Sequence, residues 1–251
     1  MIISYRHKFI FLHATKTGGS AVSVYFARHL GPFDIMIGSW GDAARHGIRR
    51  NARARGHAIL LRAAKSLRKR GILRDYIDRR MSERSGETLL WDHASARQVS
   101  QYDPKAWAGH FKFTFVRNPF ERVVSIYRWN YRDHPDPPSF SEMLRRMEEE
   151  EPGRGLRYWN SWKTYTIDDR IAVDFVGRQE NLAADLATIC DRIGLPFDPA
   201  LVTREKRQGE RVDSSALYKP GDRERVERLF APEIETFGYR FPAAYYTSFS
   251  K

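Results

Sequence analysis

Twice along the chain a compact aromatic and branched run stops at a polar turn and passes directly into a helical pattern. The first run is Lys8-Phe-Ile-Phe-Leu-His13, followed by Ala14-Thr-Lys-Thr-Gly-Gly-Ser20 and a helical stretch from Ala21 to Leu30. The second is Phe111-Lys-Phe-Thr-Phe-Val116, followed by a loop and helix from Arg117 to Arg132. Short apolar runs bounded by turn residues are the pattern of buried strands. A third, Val173-Asp-Phe-Val176, leads into a helix expected from Glu180 to Ile193, stopped by Gly194 and Pro196. Alternation of this kind predicts an α/β fold with a mainly parallel, doubly wound sheet.

At 251 residues the chain suits one domain, expected over 1–251. A hydrophobic fraction of 41% and an aromatic fraction of 13% supply a core, so the mean hydropathy of −0.60 reflects a polar surface rather than disorder. The formal net charge of +12 calls for an anionic partner without choosing among nucleic acid, membrane, phosphorylated cofactor and acidic polysaccharide. Much of that charge lies between Trp40 and Gly86, where Ile59, Leu60, Leu67, Ile72, Leu73 and Ile77 recur at helical spacing. This predicts a basic insertion of two amphipathic helices at about 40–86, broken near Gly71. Its expected roles are contact with anionic lipid heads or an acidic glycan, or simply a solvated face. Cys190 is the single cysteine, which excludes an internal disulfide and a cysteine-based zinc site. The polar start, Met1 to Lys8, and the short apolar run after it predict no signal segment and a cytoplasmic protein.

The loop after the first run carries chemistry. A glycine-containing turn between strand and helix presents backbone N–H groups to an anion, and the helix start adds partial positive charge. Lys16 brings a full charge, Thr17 and Ser20 bring hydroxyls, and Gly18-Gly19 permit close approach of a phosphate. Read alone, this fits a phosphate cradle and a plain tight turn with a solvated lysine equally well. It is not a Walker A loop, because the lysine precedes the glycines. In the second segment, Asn118-Pro119 is a strong helix-start signal. Arg117 stands at a strand's carboxyl end, where open α/β sheets bind ligands, and Ser125 lies about two turns along the helix.

With both motifs in view the chain resembles the carbohydrate branch of the sulfotransferase superfamily. Lys16-Thr-Gly-Gly-Ser20 is similar to that family's 5′-phosphosulfate loop, and Val116-Arg-Asn-Pro-Phe-Glu-Arg-Val-Val-Ser125 to its 3′-phosphate motif. Asp174-Phe-Val-Gly-Arg-Gln-Glu-Asn-Leu182 and the ending from Phe230 to Phe241 match further landmarks in order. Thr15 replaces the usual proline before the lysine, and the basic insertion matches nothing in the family pattern. The resemblance implies a P-loop-NTPase-like domain that uses 3′-phosphoadenylyl sulfate (PAPS) as donor, releases adenosine 3′,5′-bisphosphate (PAP) and needs no metal. The donor would be held by Lys16, Thr17, Gly18, Gly19, Ser20, Ala21, Arg117 and Ser125. The implied acceptor is a carbohydrate hydroxyl, favoured on a bacterial saccharide, anionic or lipid-linked, with a small alcohol, a phenol or a peptidyl tyrosine left open.

Hydroxyl attack needs a base, and His93 is the candidate, lying upstream of the strand that bears Arg117, where related enzymes place a histidine. Its competing role is to cap the helix starting near Ala94. His13 is the rival base, expected instead to pack beneath the loop, and His110 is weaker because it precedes its strand. Glu121 and Glu180 sit where helix starts favour carboxylates anyway. Arg178 reads as structural. Trp129, Tyr131, Trp159 and Trp162 fit a sugar site or, more often, a core. Arg204 to Arg211 reads as a loop closing over the nucleotide or a solvated one. A nucleotide-dependent phosphotransferase lacks its Walker A motif here. A nucleic-acid-binding module lacks interleaved aromatics in the basic segment.

Overall fold

The computed structural model describes residues 1–56, 92–149, 160–203 and 214–242. The two basic helices expected within 59–77 lie outside these residues, as do Trp159 and 204–211. The described residues fall into two compact units, one within Met1–Ala14, Gly18–Phe115 and Lys163–Glu205, the other within Thr15–Thr17, Val116–Trp162 and Lys206–Lys251.

The first unit is built on β1 (Ile2–Ser4), β2 (Phe9–Leu12), β3 (Ile35–Met36), β4 (Phe111–Val116) and β7 (Phe175–Arg178), in sheet order β3-β1-β2-β4-β7. A separate hairpin joins β5 (Thr166–Ile167) to β6 (Arg170–Ile171). β2 and β4 pair in parallel, with Phe9 opposite Phe111 and Leu12 opposite Thr114. β1 is antiparallel to both β2 and β3, so the sheet is mixed rather than mainly parallel. The polar reading of Met1 to Lys8 misses β1 because Ile2-Ile3-Ser4 is too short to show a period. The antiparallel return needs only the four residues between Ser4 and Phe9, whereas a parallel one needs a crossover.

Side chains two apart on a strand share a face. Phe9, Phe11, Phe113 and Phe115 therefore cluster on one side, joined by Val22, Tyr25 and Phe26 of α1 (Gly19–Ala27) and by Leu186, Ile189 and Cys190 further along the chain. β7 starts two residues later than its apolar run suggests, since Gly177 and Arg178 still belong to the strand. Helices α2 (Trp40–Arg45), α3 (Ala96–Tyr102) and α4 (Pro104–Gly109) lie between β3 and β4 among the described residues.

In the second unit α5 (Pro119–Tyr131) starts where Asn118-Pro119 predicts. Asn118 Oδ1 accepts from the Phe120 amide at 3.1 Å, and its Nδ2 donates to the Arg240 carbonyl at 2.9 Å. Phe120, Val123 and Val124 pack with Phe140, Met143, Leu144 and Met147 of α6 (Phe140–Glu149). A short α7 (Trp162–Tyr165) leads out to the β5–β6 hairpin, and α8 (Leu182–Arg192) follows β7 in the first unit. The expected helix from Asp222 to Phe237 is two helices, α9 (Asp222–Leu229) and α10 (Ala231–Phe237). Pro232 has no N–H to continue the first helix, and a proline in the opening turn suits a new one.

One ion pair in this second core is fully buried. Arg122, 0% exposed, donates to both oxygens of Glu233, at 3.1 Å to Oε1, and Ser161 Oγ donates to the same Oε1 at 2.7 Å. Breaking such a pair strands a charge in a medium that solvates it poorly, at a cost of about 3–5 kcal/mol. Glu233→Ala is expected to lower the urea-unfolding free energy by that much. A loss under about 1 kcal/mol would show that Arg122 finds water or another partner.

Candidate functional site

β2 is buried through Leu12, and the chain turns at the loop to start α1. Gly18 forms the helix cap with φ 85°, in the left-handed region that favours glycine. No side chain caps this end and the first turn holds no acidic residue. The amides of Ala21 and Val22 already donate to the Gly18 carbonyl, at 3.0 and 3.3 Å, so Ala21 is committed to the helix. The amides of Gly18 and Gly19 find no acceptor among the described residues. Thr17 is buried and Ser20 half-buried. A bare helix start of this kind is an anion cradle.

His13 explains why Gly19 is a glycine. A Cβ on Gly19 would stand 1.9 Å from His13 Cδ2, so the imidazole occupies that space and lies against the loop, as its packing role requires. The ring is buried, and its centroid is 4.6 Å from that of His93.

His93 is held by the main chain of the same residue. Its Nδ1 lies 2.7 Å from the His13 carbonyl oxygen. A carbonyl only accepts, so Nδ1 carries the hydrogen and Nε2 carries the lone pair. Burial pushes the His93 pKa below its ordinary 6.5, partly opposed by the carbonyl bond and by Asp92, whose Oδ2 is 3.8 Å from Nε2. His93 is thus neutral at pH 7, with a basic nitrogen whose protonated form a carboxylate stabilises. It is not the helix cap. Ser95 caps α3, accepting from the Gln98 amide while Gln98 Oε1 accepts from the Ser95 amide. His110 sits at the amino end of β4, its ring edge-on to Tyr5, among side chains unrelated to the loop.

In the second unit Lys16 adopts φ 61°, and its Nζ lies 4.5 Å from the centroid of the Trp129 ring. Arg117 Nη2 donates to Glu121 Oε2 at 3.3 Å, while its Nε is buried with no partner among the described residues. Glu121, Ser125 and Trp129, four residues apart on α5, share one face. Trp129 is 38% exposed, whereas Tyr131 packs on the helical core, its ring 5.3 Å from Tyr127. Gln179 was not singled out by sequence reasoning, yet its Cγ lies 3.2 Å from where a Gly18 Cβ would be. It lies inside the landmark stretch Asp174 to Leu182, directly after β7, which is the signal that could have pointed to it.

Among known protein families, residues 1–240 match the sulfotransferase family. The chain belongs to that family. Human carbohydrate sulfotransferase 14 is 31% identical over 113 residues, 35% of this chain and 30% of that protein, and the Danio rerio protein of the same name is 26% identical over 113 residues. The chain spans under a third of the length of these two relatives. An uncharacterized protein of Archaeoglobus fulgidus is 33% identical over 93 residues, 37% of this chain and 74% of its own. Among solved structures, mouse sulfotransferase SULT7A1 complexed with PAP has a TM-score of 0.48 at 13% identity, covering 92% of this chain and 85% of that one. Among the described residues no helix is long and apolar enough to cross a membrane.

Two outcomes follow from this geometry in the sulfotransferase. Gly19→Ala drives a methyl into His13, and overpacking of this kind costs about 1–3 kcal/mol; denaturant unfolding should show that loss, and Gly19→Ala with His13→Ala should recover much of it. For His93, NMR titration should find the Nδ1–H tautomer and a pKa below 6.5, lower again in Asp92→Asn. Because the folded state disfavours the protonated ring, stability from this residue is intact above the unfolded-state pKa and lost as pH falls through the folded one. An Nε2–H tautomer in the free protein would remove His93 from the role of base.

Proposed function

We propose that this sulfotransferase moves a sulfuryl group from PAPS to a hydroxyl of a carbohydrate by in-line displacement at sulfur. The observation that carries the reading is the bare start of α1. Among the described residues the Gly18 and Gly19 amides have no acceptor, no side chain caps this end, and the first turn holds no carboxylate. The buried Nε of Arg117, without a partner among the described residues, is a second orphan donor and suits the 3′-phosphate that distinguishes this donor from ADP or ATP.

When bound, the donor supplies an activated sulfuryl group on a leaving phosphate. The protein's own residues position and neutralise. The Gly18 and Gly19 amides hold the phosphosulfate, with the Thr17 and Ser20 hydroxyls, while Arg117 and Ser125 hold the 3′-phosphate. Lys16 offsets the negative charge that builds on the bridging oxygen as the sulfur–oxygen bond breaks. His93 Nε2 takes the proton of the attacking hydroxyl, and Asp92 stabilises the imidazolium that results. The carbohydrate acceptor draws on the printed name of the curated relatives and on the strongly basic surface, which favours an anionic or lipid-linked saccharide. The basic insertion is assigned to acceptor or lipid contact, and a cytoplasmic setting accompanies a chain whose one cysteine is buried and free.

Thermal unfolding with PAP, against ADP with Mg²⁺, tests the donor. A ligand at about 100 times its Kd adds about 2.7 kcal/mol, which at this size raises Tm by roughly 5–10 °C. The rise is expected with PAP alone and should be lost in Arg117→Ala. In turnover with PAPS, Lys16→Ala should cost on the order of 10²–10³ in kcat. A rise with Mg·ADP and none with PAP would make the protein a phosphotransferase.

A further inference from the structure

Trp129 stands out as an exposed aromatic ring with two cations against it. Lys16 Nζ is 4.5 Å from the ring centroid and Arg132 Cζ is 3.9 Å from it. Exposed tryptophans usually meet water, and lysines are among the most strongly hydrated side chains. An ammonium resting on indole is held there by the ring quadrupole, for which tryptophan is the best partner. Arg132 is itself paired with Asp133, its Nε donating to Oδ2 at 2.9 Å, so part of its charge is offset. The two cations therefore share one ring with reduced mutual repulsion.

The backbone of Lys16 is the second observation. Its φ of 61° lies in the left-handed region, unfavourable for a residue with a Cβ. Strain of this sort at a functional loop persists only where the surroundings over-determine it. Glycine, which stands two residues further on, would relax this conformation but carry no charge. The third observation is placement. Trp129 lies on the face of α5 that carries Ser125 and Glu121, one turn beyond the serine of the 3′-phosphate motif.

We infer that Trp129 is the positioning residue for Lys16, holding the ammonium ready before the donor arrives. The inference rests on the donor-facing role of Lys16 in the proposed function and adds a residue that the two phosphate motifs do not contain. A lysine free in solvent samples many rotamers and must be ordered at each binding event. A lysine resting on indole has already lost that freedom. Trp129 thus acts on donor binding through Lys16, and only through it.

The test uses the full chain with lysine side chains isotopically labelled. In the ligand-free protein the Lys16 ε-protons, identified by their absence in Lys16→Ala, should be shifted upfield by the indole ring current. Trp129→Leu should remove that shift and weaken PAP binding about 3- to 10-fold by calorimetry. Trp129→Phe keeps a ring and should retain a smaller shift with affinity within about 2-fold of wild type. In Lys16→Ala the further change Trp129→Leu should have no effect, the non-additivity expected of residues acting as one unit. A purely structural tryptophan would weaken binding equally in both backgrounds. Additive losses, or a Trp129→Leu protein that binds PAP like wild type, overturn the inference. A wild-type protein that shows the ring-current shift yet binds no PAP overturns the donor reading, and the role of Trp129 with it. Binding of PAP without any Trp129-dependent shift overturns the inference alone.

Discussion

The parallel pairing of β2 with β4 is the constraint on which the first unit depends. It joins stretches far apart in the chain: the Thr114 hydroxyl donates at 2.8 Å to the Leu12 carbonyl, 102 residues away. Closing a loop of that length costs about 4 kcal/mol beyond the constant term. Burying two phenylalanines offsets it at about 1.5–3 kcal/mol each, and this face buries Phe9, Phe11, Phe113 and Phe115. Aromatic content in two short strands is therefore what allows a long insertion between them. The Leu12 bond also pins the last residue of β2, so the turn through His13 begins from a fixed point.

A fully buried ion pair and a half-buried histidine are handled in opposite ways. Arg122 donates to both carboxylate oxygens of Glu233, and Ser161 occupies a further lone pair. Beside His93 stand a neutral carbonyl at 2.7 Å and a carboxylate at 3.8 Å, and burial outweighs both in lowering its pKa. The first arrangement suits a structural tie between α5 and α10. The second suits a group that must pick up a proton and give it back, since neither protonation state is locked in by a bidentate partner.

Much of this was legible in the sequence. Phe9–Leu12 and Phe111–Val116 stand out because central strands bury both faces and read as unbroken apolar runs. Asn118-Pro119 marks its helix because cap chemistry is local. β1 and β3 were not legible: at three and two residues they are defined by pairing, which no window of sequence displays. Pro232 was visible, yet the apolar spacing from Asp222 onward masked the break it makes. At the site, Gly18-Gly19 and Lys16 predict an anion cradle, and the histidine before β4 is the expected base. The tautomer of His93 and the ring beneath Lys16 were out of reach, because each depends on contacts between residues distant in sequence, 80 apart for His93 and His13.

His13 serves its neighbours with separate parts of one residue. The imidazole fills the space that Gly19 leaves, while the carbonyl sets the hydrogen on His93. Side chains change with a codon; carbonyls do not. Across relatives, the size of residue 13 should therefore vary in step with residue 19, a larger group at one position matched by a smaller one at the other. Position 93 is released from that bargain, because any amino acid at 13 presents the same oxygen. The tautomer of His93 is in this sense encoded in the path of the chain, and it is inherited by whatever residue occupies the turn.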